Sequence, residues 1–216
     1  MTLNADLFFS FRSPYSYLAI GRYRRMAEEY NVDIPLRIVW PIAVRDPDLL
    51  FTGNPAAPMY ILRDSMRAGE FLGIPIRWPR PDPIIQNLQT REIAKEQPII
   101  RRVCRAGQAA VRRGKGLAFA DEVSKIIFDG QTDGWNEGDH LANAATRAGL
   151  DLAELDAEAI SDVDGLDAEI AANQDALEAA GHWGVPTLVF EGEPFFGQDR
   201  VEMAKWRMEQ KGLTRR

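Results

Sequence analysis

The first apolar run of the chain, Leu7-Phe8-Phe9-Ser10-Phe11, is short and unbroken in the manner of a buried strand. Ser13-Pro14 then provides a helix start. The serine hydroxyl can accept from orphan N–H groups, and a proline lacks an N–H that the first helical position does not need. Ala19, Tyr23, Met26 and Tyr30 follow at i, i+4, i+7 and i+11, one face of a helix. Residues 34–40, interrupted by Pro35 and stopped by Pro41, predict a second strand. Strand, helix and strand together predict a right-handed parallel crossover.

The end of the chain repeats strand character in another arrangement. Thr187-Leu188-Val189-Phe190 and Pro194-Phe195-Phe196 read as two strands joined by the tight turn Glu191-Gly192-Glu193. After Gly197, residues 200–211 place Val201, Ala204 and Met208 on one side of a final helix. The long middle of the chain lacks such runs. It begins with a loop over 45–58, continues as a helix over 59–72, and passes through a proline-rich connector over 75–83. Further helices are predicted over 86–96, 99–113, 118–129, 139–148 and 167–180, with no internal repeat. The pattern predicts a small α/β platform, residues 1–44 and 181–216, with a helical domain, residues 45–180, inserted after its second strand.

Charge adds a second pattern. The chain has 216 residues and a net charge of −6, yet residues 149–180 hold ten acidic side chains and no basic one. Without that block the remainder carries +4, much of it from eight basic residues between Arg91 and Lys115. Both blocks read most simply as solvated helix faces. A phosphate-tracking surface is the sharper alternative, but no aromatic lies between Trp78 and Phe119 to stack on bases, so no nucleic-acid partner is expected. No window approaches the length of a membrane span, and Met1-Thr2-Leu3-Asn4-Ala5-Asp6-Leu7 lacks the charge and apolar order of a secretory signal. The expectation is a cytoplasmic protein with no membrane partner.

One cysteine, Cys104, excludes an intrachain disulfide, a CxxC redox pair and a zinc ribbon. His140 and His182 are too far apart in sequence to suggest a histidine-rich site, and no metal is expected. Cys104 falls in the helical pattern of Ile99, Ile100, Val103 and Val111, where a thiol is a buried packing residue. A GxSxG elbow, a phosphate loop and an HExxH pair are absent, and Gly114-Lys115-Gly116 lacks the rest of a dinucleotide fingerprint. What remains is a pair of segments at opposite ends of the helical insertion: Phe11-Arg12-Ser13-Pro14-Tyr15-Ser16-Tyr17-Leu18-Ala19 and Gly184-Val185-Pro186-Thr187.

Together these segments resemble the DsbA-like thioredoxin-fold group, in its branch of 2-hydroxychromene-2-carboxylate isomerases and kappa-class glutathione transferases. Gly53-Asn54-Pro55, Arg67 with Gly73-Ile74-Pro75, and Phe196-Gly197-Gln198-Asp199-Arg200 extend the resemblance over nearly the whole chain. It implies an α/β thioredoxin-like fold with an inserted helical domain, a cis peptide before Pro186, and glutathione as cofactor. Ser13 and Ser16 stand where a thiol oxidoreductase of this fold carries its two cysteines. Ser13 is then the catalytic serine, its hydroxyl bonding the glutathione sulfur at a helix N-terminus that favours a thiolate.

The resemblance places the cysteinyl portion of glutathione on Val185 and Pro186. It places the γ-glutamyl end on Gly197, Gln198, Asp199 and Arg200, and the glycyl end near Asn54 and Pro55. Gln198 stands where serine or asparagine is frequent, and Asp199 reads equally well as the N-cap of the final helix. Tyr15 is expected at the substrate; Arg45, the only cation in a 45–60 region where relatives commonly carry a lysine, reads equally as a clamp for the substrate carboxylate and as a surface residue paired with Asp46 or Asp48. The implied activity is isomerisation of an aromatic carboxylate by reversible thiolate addition, in a homodimer. The alternatives are a kappa-like transferase and a non-catalytic binding module that offers its basic stretch to an acidic partner.

Overall fold

A computed structural model describes residues 2–46, 56–87, 90 and 92–216. Strand β1 (Leu3–Phe9) is the hub of the sheet. It pairs in parallel with β2 (Val32–Asp33) and β3 (Leu36–Ile38) on one side and antiparallel with β6 (Thr187–Phe190) on the other. β6 continues antiparallel to β7 (Glu193–Phe196), so the order is β2/β3, β1, β6, β7. The expected second strand, 34–40, is realised only as β3, while β2 lies before that span; Pro35 separates them, because proline cannot donate to a ladder. The β6–β7 turn puts Glu191 at φ 50° and Gly192 at φ 80°, the pair of left-handed residues that a two-residue hairpin turn requires.

Helix α1 (Pro14–Glu29) crosses between β1 and β3 and buries Leu18, Ala19, Tyr23 and Met26. After β3 come the short α2 (Ile42–Arg45) and then α3 (Ala57–Leu72), which ends at Gly73 with φ 66°. The expected helix over 86–96 is absent. Its described residues instead form a two-stranded hairpin, β4 (Gln86–Asn87) and β5 (Glu92–Ile93). Gln97 holds the base of that hairpin, its side-chain amide bonding both the N–H and the C=O of Ile85 at 2.8 Å. A long-range anchor, invisible to local periodicity, overrides the weak helical pattern.

Helices α4 (Pro98–Arg112), α5 (Gly116–Phe128), α6 (His140–Arg147), α7 (Leu152–Ser161) and α8 (Val163–Ala179) complete the insertion. Helix α7 was not expected: it buries only Leu155 and Ala159, and Glu154, Asp156 and Glu158 interrupt its apolar positions. Helix α4 packs on the sheet through Gly107, where a Cβ would come within 2.7 Å of both Ile38 and the ring of Phe11. Asn173 of α8 donates to the Ile38 carbonyl at 3.0 Å, tying the insertion to the edge of the platform. One continuous apolar core therefore runs from β1 and α1 into α4, α5 and Trp135. The final helix α9 (Val201–Glu209) buries Val201, Ala204 and Met208.

The two charge blocks do not form separate solvated faces; they are partners. Arg102 forks onto Asp156, and Arg105 forks onto Asp167 at 2.7 Å through both nitrogens. Arg112 reaches Glu158, Asp162 and Glu169, and Arg113 also meets Glu158. The basic face of α4 is thus laid along the acidic faces of α7 and α8. Arg91 lies outside the described residues.

Candidate functional site

The chain leaves β1 at Phe9 and turns into α1 within four residues, placing Ser13 as the N-cap. Its Oγ accepts from the Ser16 backbone N–H at 3.1 Å and donates to the Val185 carbonyl at 3.2 Å. The second bond is long for a hydroxyl donor, whose bonds cluster near 2.7–2.8 Å, so the proton is loosely held. Val185 precedes a cis peptide to Pro186, and the Pro186 carbonyl accepts from the Gly197 N–H at 2.8 Å. Residues 172 positions apart in sequence therefore meet at one hydroxyl.

These groups face a cleft of about 360 Å³. Its lining includes Ser10, Arg12, Ser13 and Tyr15 together with Arg45, Trp183, Val185 and Phe196. The Ser16 side chain lies behind them, fully buried, and its hydroxyl has no partner. The Ser10 hydroxyl is likewise buried without a partner, but on the cleft wall. Neither serine is reactive as it stands, because no base bonds to it.

Tyr15 donates to Asp64 at 2.8 Å, and Arg67 donates to the other oxygen of the same carboxylate. Burial and the bond to Asp64 push the Tyr15 phenol above its ordinary value, so it stays protonated. With its proton committed to Asp64, Tyr15 can offer a ligand only its ring and its acceptor lone pairs. Arg45 donates to the Trp183 carbonyl, and its Nε is buried without a partner. Burial pulls its guanidinium below the ordinary arginine value, with Glu178 and Asp46 opposing. Unlike the arginines of α4, Arg45 has no carboxylate within ion-pair distance among the described residues.

The remaining expected residues divide into two groups. Gly197, at φ 108°, bonds Pro186 and opens a single 3-10 turn, Gln198–Arg200, none of which is among the described residues that line the cleft. The Gln198 carbonyl is occupied by Arg22 at 2.7 Å, and Asp199 is paired with Arg200 at 2.6 Å. Asp199 does not cap α9, whose N-cap is Arg200 without a side-chain bond. Asn54 and Pro55 lie outside the described residues, as does Gly53.

Two features of the cleft were not foreseen. Arg12 was only part of a motif string, and His182 only a count. The His182 ring is sandwiched between Trp183 (4.5 Å, 7°) and Phe196 (4.1 Å, 25°), leaving Trp183 56% exposed and Phe196 45% exposed at the rim. Burial in this stack holds the His182 imidazole below its ordinary value, and Nδ1 accepts from the Gly184 N–H at 2.9 Å. Gly184 is required here by contact, since a Cβ would lie 2.5 Å from the Phe196 ring. The glycine in Gly184-Val185-Pro186 was the available signal, but only the folded chain shows what approaches it. Cys104 is far from this chemistry in character: it is buried in the core, and burial raises its thiol well above the usual range.

A family profile described as DSBA-like thioredoxin domain matches residues 5–209. A structure of 2-hydroxychromene-2-carboxylate isomerase superposes with a TM-score of 0.69 at 19% identity, covering 96% of this chain and 95% of that one. The cytosolic disulfide reductase DsbM from Pseudomonas aeruginosa superposes with a TM-score of 0.60 at 15% identity, covering 96% and 100%. The same reductase solved with GSH gives 0.58 at 14% identity, with the same coverage. No curated protein sequence matches the chain. At such identities the superpositions speak for the fold. Among the described residues no helix is long and apolar enough to cross a membrane.

Proposed function

The chain belongs to the DSBA-like thioredoxin family, and from that premise we propose that it is a glutathione-dependent isomerase of aromatic carboxylates such as 2-hydroxychromene-2-carboxylate. The observation that carries this reading is the Ser13 hydroxyl, set between the Ser16 N–H and the Val185 carbonyl in a cleft without a thiol of its own. The fit to glutathione rests on groups with hydrogen-bonding capacity to spare. The Ser10 hydroxyl is buried and unpartnered, and the first-turn N–H of Tyr15 has no bond among the described residues. The likeness to a reductase solved with GSH supports the same reading.

Glutathione supplies a thiol that adds reversibly to an electrophilic carbon. The chain's own residues make that thiol anionic and place it. Ser13 turns its loosely held proton from Val185 toward the sulfur while its oxygen keeps the Ser16 N–H. The released Val185 carbonyl becomes an acceptor for the peptide of the cofactor. The N-terminus of α1 adds a positive potential that lowers the thiol pKa. Trp183 and Phe196 provide apolar surface for an aromatic ring, and Arg45 offers its remaining N–H groups to the substrate carboxylate. In this reading Asp199, exposed and paired with Arg200, exchanges that partner for the γ-glutamyl ammonium.

The test is isomerisation of 2-hydroxychromene-2-carboxylate with free thiol followed throughout. Stimulation by glutathione at constant thiol supports the isomerase. Stoichiometric loss of thiol with an electrophile makes the protein a transferase instead. Absence of any glutathione binding by calorimetry removes both and leaves a binding module.

A further inference from the structure

Among the described residues, two arginines and no acidic side chain line the cleft beside Ser13, although the chain as a whole carries −6. Arg45 is held by one bond, to the Trp183 carbonyl. Arg12 is held on several sides. Its Nε and Nη2 donate to the two oxygens of Asp82 at 3.1 and 2.8 Å, and its guanidinium carbon lies 4.9 Å from the centre of the Trp78 ring. Asp82 is fixed in turn. It also accepts from Trp78 Nε1 at 3.3 Å, the Ile84 N–H at 3.1 Å and Gln86 Nε2 at 3.0 Å.

That arrangement leaves one end of the guanidinium unused. Arg12 Nη1 makes no hydrogen bond with the described residues, while the side chain is only 15% exposed and lines the cleft. The Asp82 carboxylate serves five donors, so its charge is shared rather than spent on Arg12 alone. Arg12 lines a cleft whose other lining residues include Ile42, Ile61, Trp183 and Phe196, apolar surface beside which a charge-assisted contact is stronger than in open water. A donor already ordered by its neighbours loses little freedom when a ligand arrives.

We infer that Arg12 is a specificity-determining residue of this cleft: its Nη1 end receives an acidic group of a planar electrophile, with Asp82 as the positioning residue that aims it. The assignment adds a second anion contact, immediately before Ser13 in the chain, to the contact proposed for Arg45. It rests on the proposed function only for which electrophile is used; the preference for acid over neutral ligand belongs to the cleft itself.

The probes are coumarin-3-carboxylate and its neutral carboxamide, titrated calorimetrically into the wild-type protein, Arg12→Gln and Arg12→Lys, with glutathione titrated separately. The wild type is expected to bind the carboxylate at least about tenfold tighter than the carboxamide, the scale of one charge-assisted contact. Arg12→Gln keeps a donor for Asp82 but lacks the charge, and should lose most of that preference, the remainder being the share of Arg45. Arg12→Lys should fall between, because a lysine cannot fork onto Asp82 and also face the cleft. An undiminished preference in Arg12→Gln, or no preference in the wild type, overturns the inference. Should Arg12→Gln fail to fold by circular dichroism, a wild-type preference in Arg12→Lys overturns it equally. Should glutathione bind to none of the proteins while the carboxylate preference is present and lost with Arg12, the glutathione reading falls and the Arg12 assignment stands.

Discussion

Arginine does opposite work in two parts of this molecule. Along α4, Arg102, Arg105, Arg112 and Arg113 are matched with carboxylates of α7 and α8, several of them through both nitrogens. In the cleft, among the described residues, Arg45 meets only a carbonyl and Arg12 keeps one nitrogen without a partner although it is otherwise immobilised. The first set is satisfied by the chain and defines how helices lie together. The second is left incomplete by the chain, and incompleteness at a concave, largely apolar surface is what a ligand can use. Charge content alone does not separate the two; the geometry of the partners does.

The comparison breaks most sharply at Ser13. Ser13→Ala should lower turnover about a hundredfold or more, the scale of losing one donor to a developing anion. It should also raise the pKa of the bound thiol, read from the ultraviolet absorbance of the thiolate. Loss of the N-cap adds about 1 kcal/mol of destabilisation, so a melting curve accompanies the measurement. An unchanged pH–rate profile removes Ser13 from the mechanism.

On the other side, Arg112→Ala should cost about 1 kcal/mol and lower Tm by a few degrees, while glutathione binding stays as in the wild type. A loss of binding at constant Tm would reverse the assignment of roles. Acid sharpens the same contrast. Burial alone would raise Glu158, but hydrogen bonds from Arg112 and Arg113 outweigh it and hold the carboxyl below its usual value. A depressed folded-state pKa stabilises the protein above the unfolded value of about 4.3 and loses that contribution as pH falls through the folded value. Tm should therefore hold from neutral pH to that point and drop below it, and Arg112→Ala should shrink the drop. The smallest effect is expected at Cys104. Cys104→Ser should leave activity intact, and a thiol reagent should label the native protein only after unfolding.

Much of the platform was legible in advance because its signals are local. An apolar run, a Ser-Pro start and a 3.6-residue apolar stripe are properties of neighbours in the chain, and β1, α1, β6, β7 and α9 follow from them. The insertion was read less well where local signals are weak. Helix α7 buries only Leu155 and Ala159, because Asp156 and Glu158 commit another of its faces to arginines of α4, and the 86–93 hairpin is anchored by Gln97 rather than by its own pattern. Residues such as Ser13, Val185 and Gly197 were named by motif, and the fold brings these three to one end of the sheet. Arg12 carried no role of its own within its motif and the His182 stack was not named, because their significance lies in contacts with Asp82, Trp78 and Phe196 that no local pattern records.

By itself, the sequence determined that this chain has strands and helices in the order of a split α/β platform, and that a serine, not a cysteine, opens the first helix. Periodicity, capping and composition decide those matters over a few residues at a time. Only the tertiary structure decided that the acidic and basic blocks are partners rather than surfaces, and which arginines remain unmatched. Electrostatic pairing depends on distances of a few ångströms between groups dozens of residues apart, and no local pattern records them.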